Sequence, residues 1–233
     1  RIRDEATDSW DDKVAVDRFT GKGGHFVRGS ATITGPGRVR VDEQEFTASR
    51  ALIIATGTAA VIPPIDGLAG TPYWTNREAI EAMTLPQSLI VLGGGAIGVE
   101  LSQVLARFGV AVTVVEGSDR ILAMEEPESS QTAHEALTSE NIKIHTGVRA
   151  EHVAYDDNGF SLTLSDGSVL TAERLLVATG RTARLGELGL DTVGLDPSAR
   201  FLSTDDRTRA GERIWAVGDV TGNGAFTHMA MYE

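Results

Sequence analysis

The segment SLIVLGGGAIGVELSQVLARFGVAVTVVE, residues 88–116, narrows the possible folds more than any other stretch of this 233-residue chain. Leu89 to Leu92 is an apolar run of strand length, and it ends on Gly93-x-Gly95-x-x-Gly98. Glu100, Leu101, Val104, Leu105 and Phe108 then recur at helical spacing, and Gly109 suits the turn that closes a helix. Val110 to Val115 is a second apolar run, and it ends on Glu116. Strand, glycine turn, helix and strand in that order predict a βαβ crossover, hence an α/β fold with a parallel sheet.

Each glycine in the turn has a physical reason. Gly93 allows the tight passage from strand to helix, Gly95 lets backbone approach a pyrophosphate, and Gly98 lets helix and strand pack closely. The loop Gly93, Gly94, Gly95, Ala96, Ile97 and Gly98 would present unpaired N–H groups and the positive end of a helix dipole to phosphate. The bland alternative is a glycine-rich turn without a ligand, but the complete strand–turn–helix–strand context favours the dinucleotide reading. Glu116 then selects the nucleotide. Its carboxylate can accept the ribose hydroxyls of NAD, whereas a 2′-phosphate at ~4 Å would be repelled by about 1 kcal/mol in water and about 4 at an effective dielectric near 20. NAD is expected over NADP, with Arg120 the cation that could partly offset the repulsion.

Two strand endings repeat. ALIIATGT (51–58) and LLVATGRT (175–182) both stop on Ala-Thr-Gly, and VRVDEQEFTASRALIIATG aligns with LTLSDGSVLTAERLLVATG. Each copy reads as an alternating strand, a polar turn, a second short strand and a buried strand, a β-meander feeding a central sheet. The spacing is far longer than a solenoid repeat, so two related domains are expected. VIPPIDGLAGTP (61–72), rich in Pro and Gly, reads as a linker between them.

Bulk properties exclude several functions. A net charge of −12 argues against a nucleic-acid partner. No apolar run is long enough to cross a bilayer and no signal-peptide pattern opens the chain, so no membrane role and a cytoplasmic location are expected. The absence of cysteine removes thiol chemistry from these residues. His25, His134, His145, His152 and His228 lack the spacing of a metal site, so no metal is expected. MEEPE (124–128) reads as a solvated acidic turn. The chain starts without Met and ends on HMAMYE, which reads as the opening of a helix, and a piece of a longer protein is expected.

Taken together, ALIIATGT, PPIDGL, VLGGGAIGVELSQVLARFGVAVTVVEGSDRIL, LLVATGRTARLGELGL and IWAVGDV, in this order, resemble the pyridine nucleotide-disulfide oxidoreductases, the family of dihydrolipoamide dehydrogenase, mercuric reductase and glutathione reductase. The resemblance implies a Rossmann-like NAD-binding domain at 62–184, inserted in an FAD-binding domain of the same type represented only in part by 1–61 and 185–233. It implies an NAD(P)H-dependent FAD flavoprotein that passes hydride between nicotinamide and flavin, then electrons to a small-molecule or protein disulfide or other acceptor, in a homodimer. For NAD it implies Glu100 beside the nicotinamide, Val148 near the adenine and Gly180 against the nicotinamide half. For FAD it implies Ala31, Thr56 and Gly57 along the cofactor, Asp219 on the ribitol and Thr227 at a helix start beside the flavin ring. The family's first FAD glycine motif, its redox cysteine pair and its dimerisation domain have no counterpart in these residues, so no catalytic residue is expected here and the chain alone should be inactive. Ala96 stands where some relatives carry a gating tyrosine. Two alternatives remain open: a ferredoxin reductase or NADH oxidase type of flavoprotein without redox cysteines, and a non-catalytic dinucleotide-binding module.

Overall fold

The computed structural model describes residue 4, residues 7–224 and residues 229–232. In chain order the elements are α1 (Lys13–Gly21), β1 (Ala31–Gly35), β2 (Arg38–Val41), β3 (Gln44–Thr47), β4 (Leu52–Ile54), β5 (Ala59–Ala60), α2 (Asn76–Glu81), β6 (Ser88–Leu92), α3 (Ala96–Arg107), β7 (Ala111–Val115) and α4 (Pro127–Ser139). They continue with β8 (Lys143–His145), β9 (Ala150–Asp156), β10 (Gly159–Leu164), β11 (Val169–Ala172), β12 (Arg174–Val177), β13 (Arg181–Thr182), β14 (Arg209–Gly211), β15 (Ile214–Ala216) and α5 (Met229–Tyr232). The chain divides into two compact units, one made of Arg1–Gly57 with Ala183–Glu233, the other of Thr58–Thr182. These boundaries lie a few residues from 61/62 and 184/185, because β5 pairs antiparallel with β13 and ties both connecting segments into the second unit.

The second unit is built on a parallel sheet of order β12-β6-β7-β8. Its strands alternate between two cores, as strands covered on both faces must. Leu89, Val91, Val112, Val114 and Leu176 face Leu105 of α3, Leu137 of α4 and Ile121. Ile90, Leu92, Val115, Leu175 and Val177 pack instead on Val153, Phe160, Leu162 and Leu164 of the antiparallel meander β9-β10-β11. Parallel strands require crossovers, and α3 and α4 supply them on one face while the meander closes the other.

Helix α3 ends as its sequence predicts. Gly109 has φ +92°, its N–H donates to Ala106 O at 2.8 Å and Val110 N–H donates to Leu105 O at 3.1 Å. This double bond pattern satisfies carbonyls that the helix itself leaves open. Helix α2 opens with a capping box in which Thr75 and Glu78 serve each other's backbone.

In the first unit the sheet β1-β2-β3 is an antiparallel meander, and β4 pairs parallel with β15, which pairs antiparallel with β14. Ile33, Ile54, Leu185, Leu190, Leu202, Ile214 and Val220 form its core. The repeat is therefore architectural. In each unit three antiparallel strands precede a short strand, β4 or β12, that joins a parallel pairing and ends on Ala-Thr-Gly. Among the described residues no helix is long and apolar enough to cross a membrane.

Candidate functional site

The carboxyl ends of β6, β7 and β12 open onto one cleft of about 260 Å³. It is lined by Leu92 and Gly93 at the end of β6, Val115, Glu116 and Gly117 at the end of β7, Thr179 after β12, Val148, Arg149 and Ala150 before and at the start of β9, and Pro63 and Ile65. In the order β12-β6-β7-β8, the crossovers leave β6 toward β7 on one side while β12 joins on the other. A crevice forms at such a reversal because the loops diverge there, which is where open α/β sheets receive ligands.

The glycines divide the labour. A Cβ on Gly93 would lie 2.4 Å from Ala178 O, and Gly93 has φ +111°, so only glycine passes this close to the end of β12. A Cβ on Gly98 would lie 2.0 Å from Gly93 O, so helix and turn touch there. Gly95, by contrast, is exposed, has φ −74° at the helix N-cap, and a Cβ on it would meet nothing within 4 Å. Packing explains Gly93 and Gly98 but leaves Gly95 unexplained. Its open side, next to first-turn N–H groups of α3 that have no intrahelical acceptor, is the shape a pyrophosphate would fill.

The turn is braced by hydrogen bonds from the chain itself. Gly93 N–H donates to Val115 O at 2.8 Å, and Leu122 N–H donates to Gly94 O at 2.8 Å. Glu116 Oε2 accepts from Gly94 N–H at 2.6 Å and Oε1 accepts from Ser118 N–H at 2.7 Å. Partial burial alone would raise the Glu116 pKa, but the Ser118 and Gly94 N–H groups and the Ser118 hydroxyl outweigh it and hold the carboxyl below its ordinary value. Each oxygen keeps lone-pair capacity for a further donor such as a ribose hydroxyl.

The expected site residues separate on inspection. Gly93, Glu116 and Val148 line the cleft together. Gly94, Ala96, Ile97 and Glu100 belong to the turn and the first turns of α3, where Ala96 and Glu100 are exposed. Gly180 has φ +141°, and its carbonyl accepts from Val61 N–H at 2.9 Å. In the other unit Ala31 and Thr56 line a small, mostly apolar hollow of about 120 Å³ with Ile33, Val39, Leu52 and Leu188. Gly57 has φ +65°, and Asp219 is half-buried in the short helical turn after β15. Thr227 lies outside the described residues. Arg120, the cation the spacing suggested, braces its own loop: its two terminal nitrogens donate to Leu122 O at 3.1 Å and Ala123 O at 2.8 Å. The cation in the cleft wall is Arg149, which sequence spacing gave no reason to select.

Comparison with known proteins agrees with this architecture. The family model described as pyridine nucleotide-disulphide oxidoreductase matches residues 7–233. The chain is 37% identical over 217 residues to a dihydrolipoyl dehydrogenase of Chlorobaculum tepidum, covering 89% of this chain and 46% of that protein. It is 31% identical over 223 residues to a mercuric reductase of Staphylococcus aureus, covering 94% of this chain and 41% of that protein. Among solved structures it superposes on the HOCl-induced flavoprotein disulfide reductase RclA from Escherichia coli with a TM-score of 0.86, at 27% identity, over 93% of this chain and 51% of that one. The chain thus spans about half the length of the proteins it matches.

Proposed function

The chain belongs to the pyridine nucleotide-disulphide oxidoreductase family, and on that premise we propose that Thr58–Thr182 is the nicotinamide-dinucleotide domain of an FAD-dependent oxidoreductase. The flanking unit contributes flavin-binding segments through Ala31, Thr56, Gly57 and Asp219; Thr227, expected to act with them, lies outside the described residues. The observation that carries the reading is the contrast at the turn, where Gly93 and Gly98 are required by packing and Gly95 is not.

The residues of this chain bind and orient. The N–H groups at the start of α3 neutralise a pyrophosphate, Glu116 receives the adenosine ribose hydroxyls, and Val148 packs on the adenine. Ala96 leaves the nicotinamide end open, with Glu100 and Gly180 beside it. When both cofactors are bound, they supply hydride chemistry between nicotinamide and flavin. The pinned carboxylate of Glu116 favours NADH over NADPH, since it cannot swing away from a 2′-phosphate without breaking two hydrogen bonds. The chain contains no cysteine, so disulfide exchange is not assigned to its residues. The whole protein is read as a homodimer that passes electrons to a disulfide or comparable acceptor.

Calorimetric titration of the 233-residue chain with NADH tests the reading. Saturable binding at or below about 1 mM is expected, and Gly95→Ala should abolish it without unfolding the chain. A folded chain that takes up no NADH, or binding indifferent to Gly95→Ala, would refute it.

A further inference from the structure

Arg149 sits in the cleft wall, one residue after Val148, and lines the same cleft as Glu116. Its backbone is clamped on both sides, because Arg149 N–H donates to Ser165 Oγ at 3.0 Å and Ser165 N–H donates to Arg149 O at 2.8 Å. Its side chain lies against Gly117, whose missing Cβ would fall 3.4 Å from Arg149 Cγ and 3.7 Å from Nε. The guanidinium therefore rests beside the residue that immediately follows Glu116. It makes no hydrogen bond or ion pair among the described residues, whereas Arg120 spends its terminal nitrogens on two carbonyls.

We propose that Arg149 is a specificity-determining residue: its guanidinium receives the 2′-phosphate of a bound NADPH and keeps the preference for NADH set by Glu116 from becoming absolute. The inference rests on the dinucleotide reading above and adds a residue to it. A carboxylate that accepts ribose hydroxyls and a guanidinium beside the residue that follows it would act with opposite sign on a 2′-phosphate. NADH engages chiefly the carboxylate, while NADPH engages both, and charge-assisted contact of a planar guanidinium with phosphate is directional.

The test is titration of the intact chain and its Arg149→Ala and Arg149→Lys variants with NADH, NADPH, 5′-AMP and 2′,5′-ADP, repeated at higher ionic strength. Arg149→Ala should weaken NADPH and 2′,5′-ADP about five- to tenfold while changing NADH and 5′-AMP less than about twofold. Arg149→Lys should recover part of the loss, and the difference should shrink with salt. Equal weakening of all four ligands would mean that the arginine stacks on adenine, and unchanged affinities would mean that it is solvated. Either result overturns the assignment of Arg149 but leaves the dinucleotide site standing. A wild-type chain that binds none of the four overturns both.

Discussion

Arg181 donates from Nε to the hydroxyl of Thr58 at 2.6 Å and from Nη2 to the Thr58 carbonyl at 2.7 Å, and the two residues stand 123 positions apart, the period of the internal repeat. Each immediately follows an Ala-Thr-Gly, and both belong to the unit Thr58–Thr182. Arg181 Nη1 also reaches Asn76 Oδ1 at 3.4 Å, and Val61 N–H donates to Gly180 O beside it. Arg181→Ala should lower stability by about 1 to 2 kcal/mol through the loss of its bonds to Thr58 and Asn76. Denaturant melts would measure the loss, and amide exchange at Val61 should accelerate more than exchange in β6. Arg181→Lys should rescue little, since an ammonium cannot reproduce the fork.

Two glycine substitutions separate packing from binding. Gly98→Ala places a methyl 2.0 Å from Gly93 O, and the forced shift of helix against turn should cost about 2 kcal/mol or more. Gly95→Ala meets no atom within 4 Å and should cost under about 1 kcal/mol, the scale of a changed cap. Thermal melts paired with NADH titration would show the first variant unstable and the second stable but unable to bind.

Glu116 carries an acid-side dependence. Its folded pKa is held below the ordinary 4.5, so the stabilisation is complete above that value and is lost as pH falls through the lowered one. Near neutral pH, Glu116→Gln should destabilise by about 1 kcal/mol, a modest figure because the side chain is partly solvated. In urea melts run across acidic pH the wild type and variant curves should converge. At neutral pH the same variant should bind NADPH more nearly as well as NADH.

Ser102 is fully buried in α3, and its hydroxyl has no hydrogen-bond partner among the described residues. Ser102→Ala removes a desolvated polar atom and keeps the volume nearly unchanged. A gain of about 0.5 to 1 kcal/mol in unfolding free energy is expected, with NADH affinity unaltered.

The sequence by itself determined the features set by local spacing. The βαβ unit follows from apolar runs of strand and helix period around Gly93, Gly95 and Gly98, and α3 stops where Gly109 lets the chain turn. Glu116 is readable because strand β7 must end where its apolar run ends. The repeat, too, is visible as a pattern of strands. Tertiary structure decided which partners those residues take. Spacing from Glu116 points to Arg120 and gives no reason to select Arg149, yet the loop fold gives Arg120 two carbonyls and brings Arg149, on a different connection, beside Gly117. Likewise Thr58 meets Arg181 only because β5 and β13 pair, and Gly95 differs from Gly98 only in what surrounds it. Periodicity reports what a chain does with its neighbours in sequence, whereas contacts across crossovers depend on sheet order and register, which no local pattern encodes.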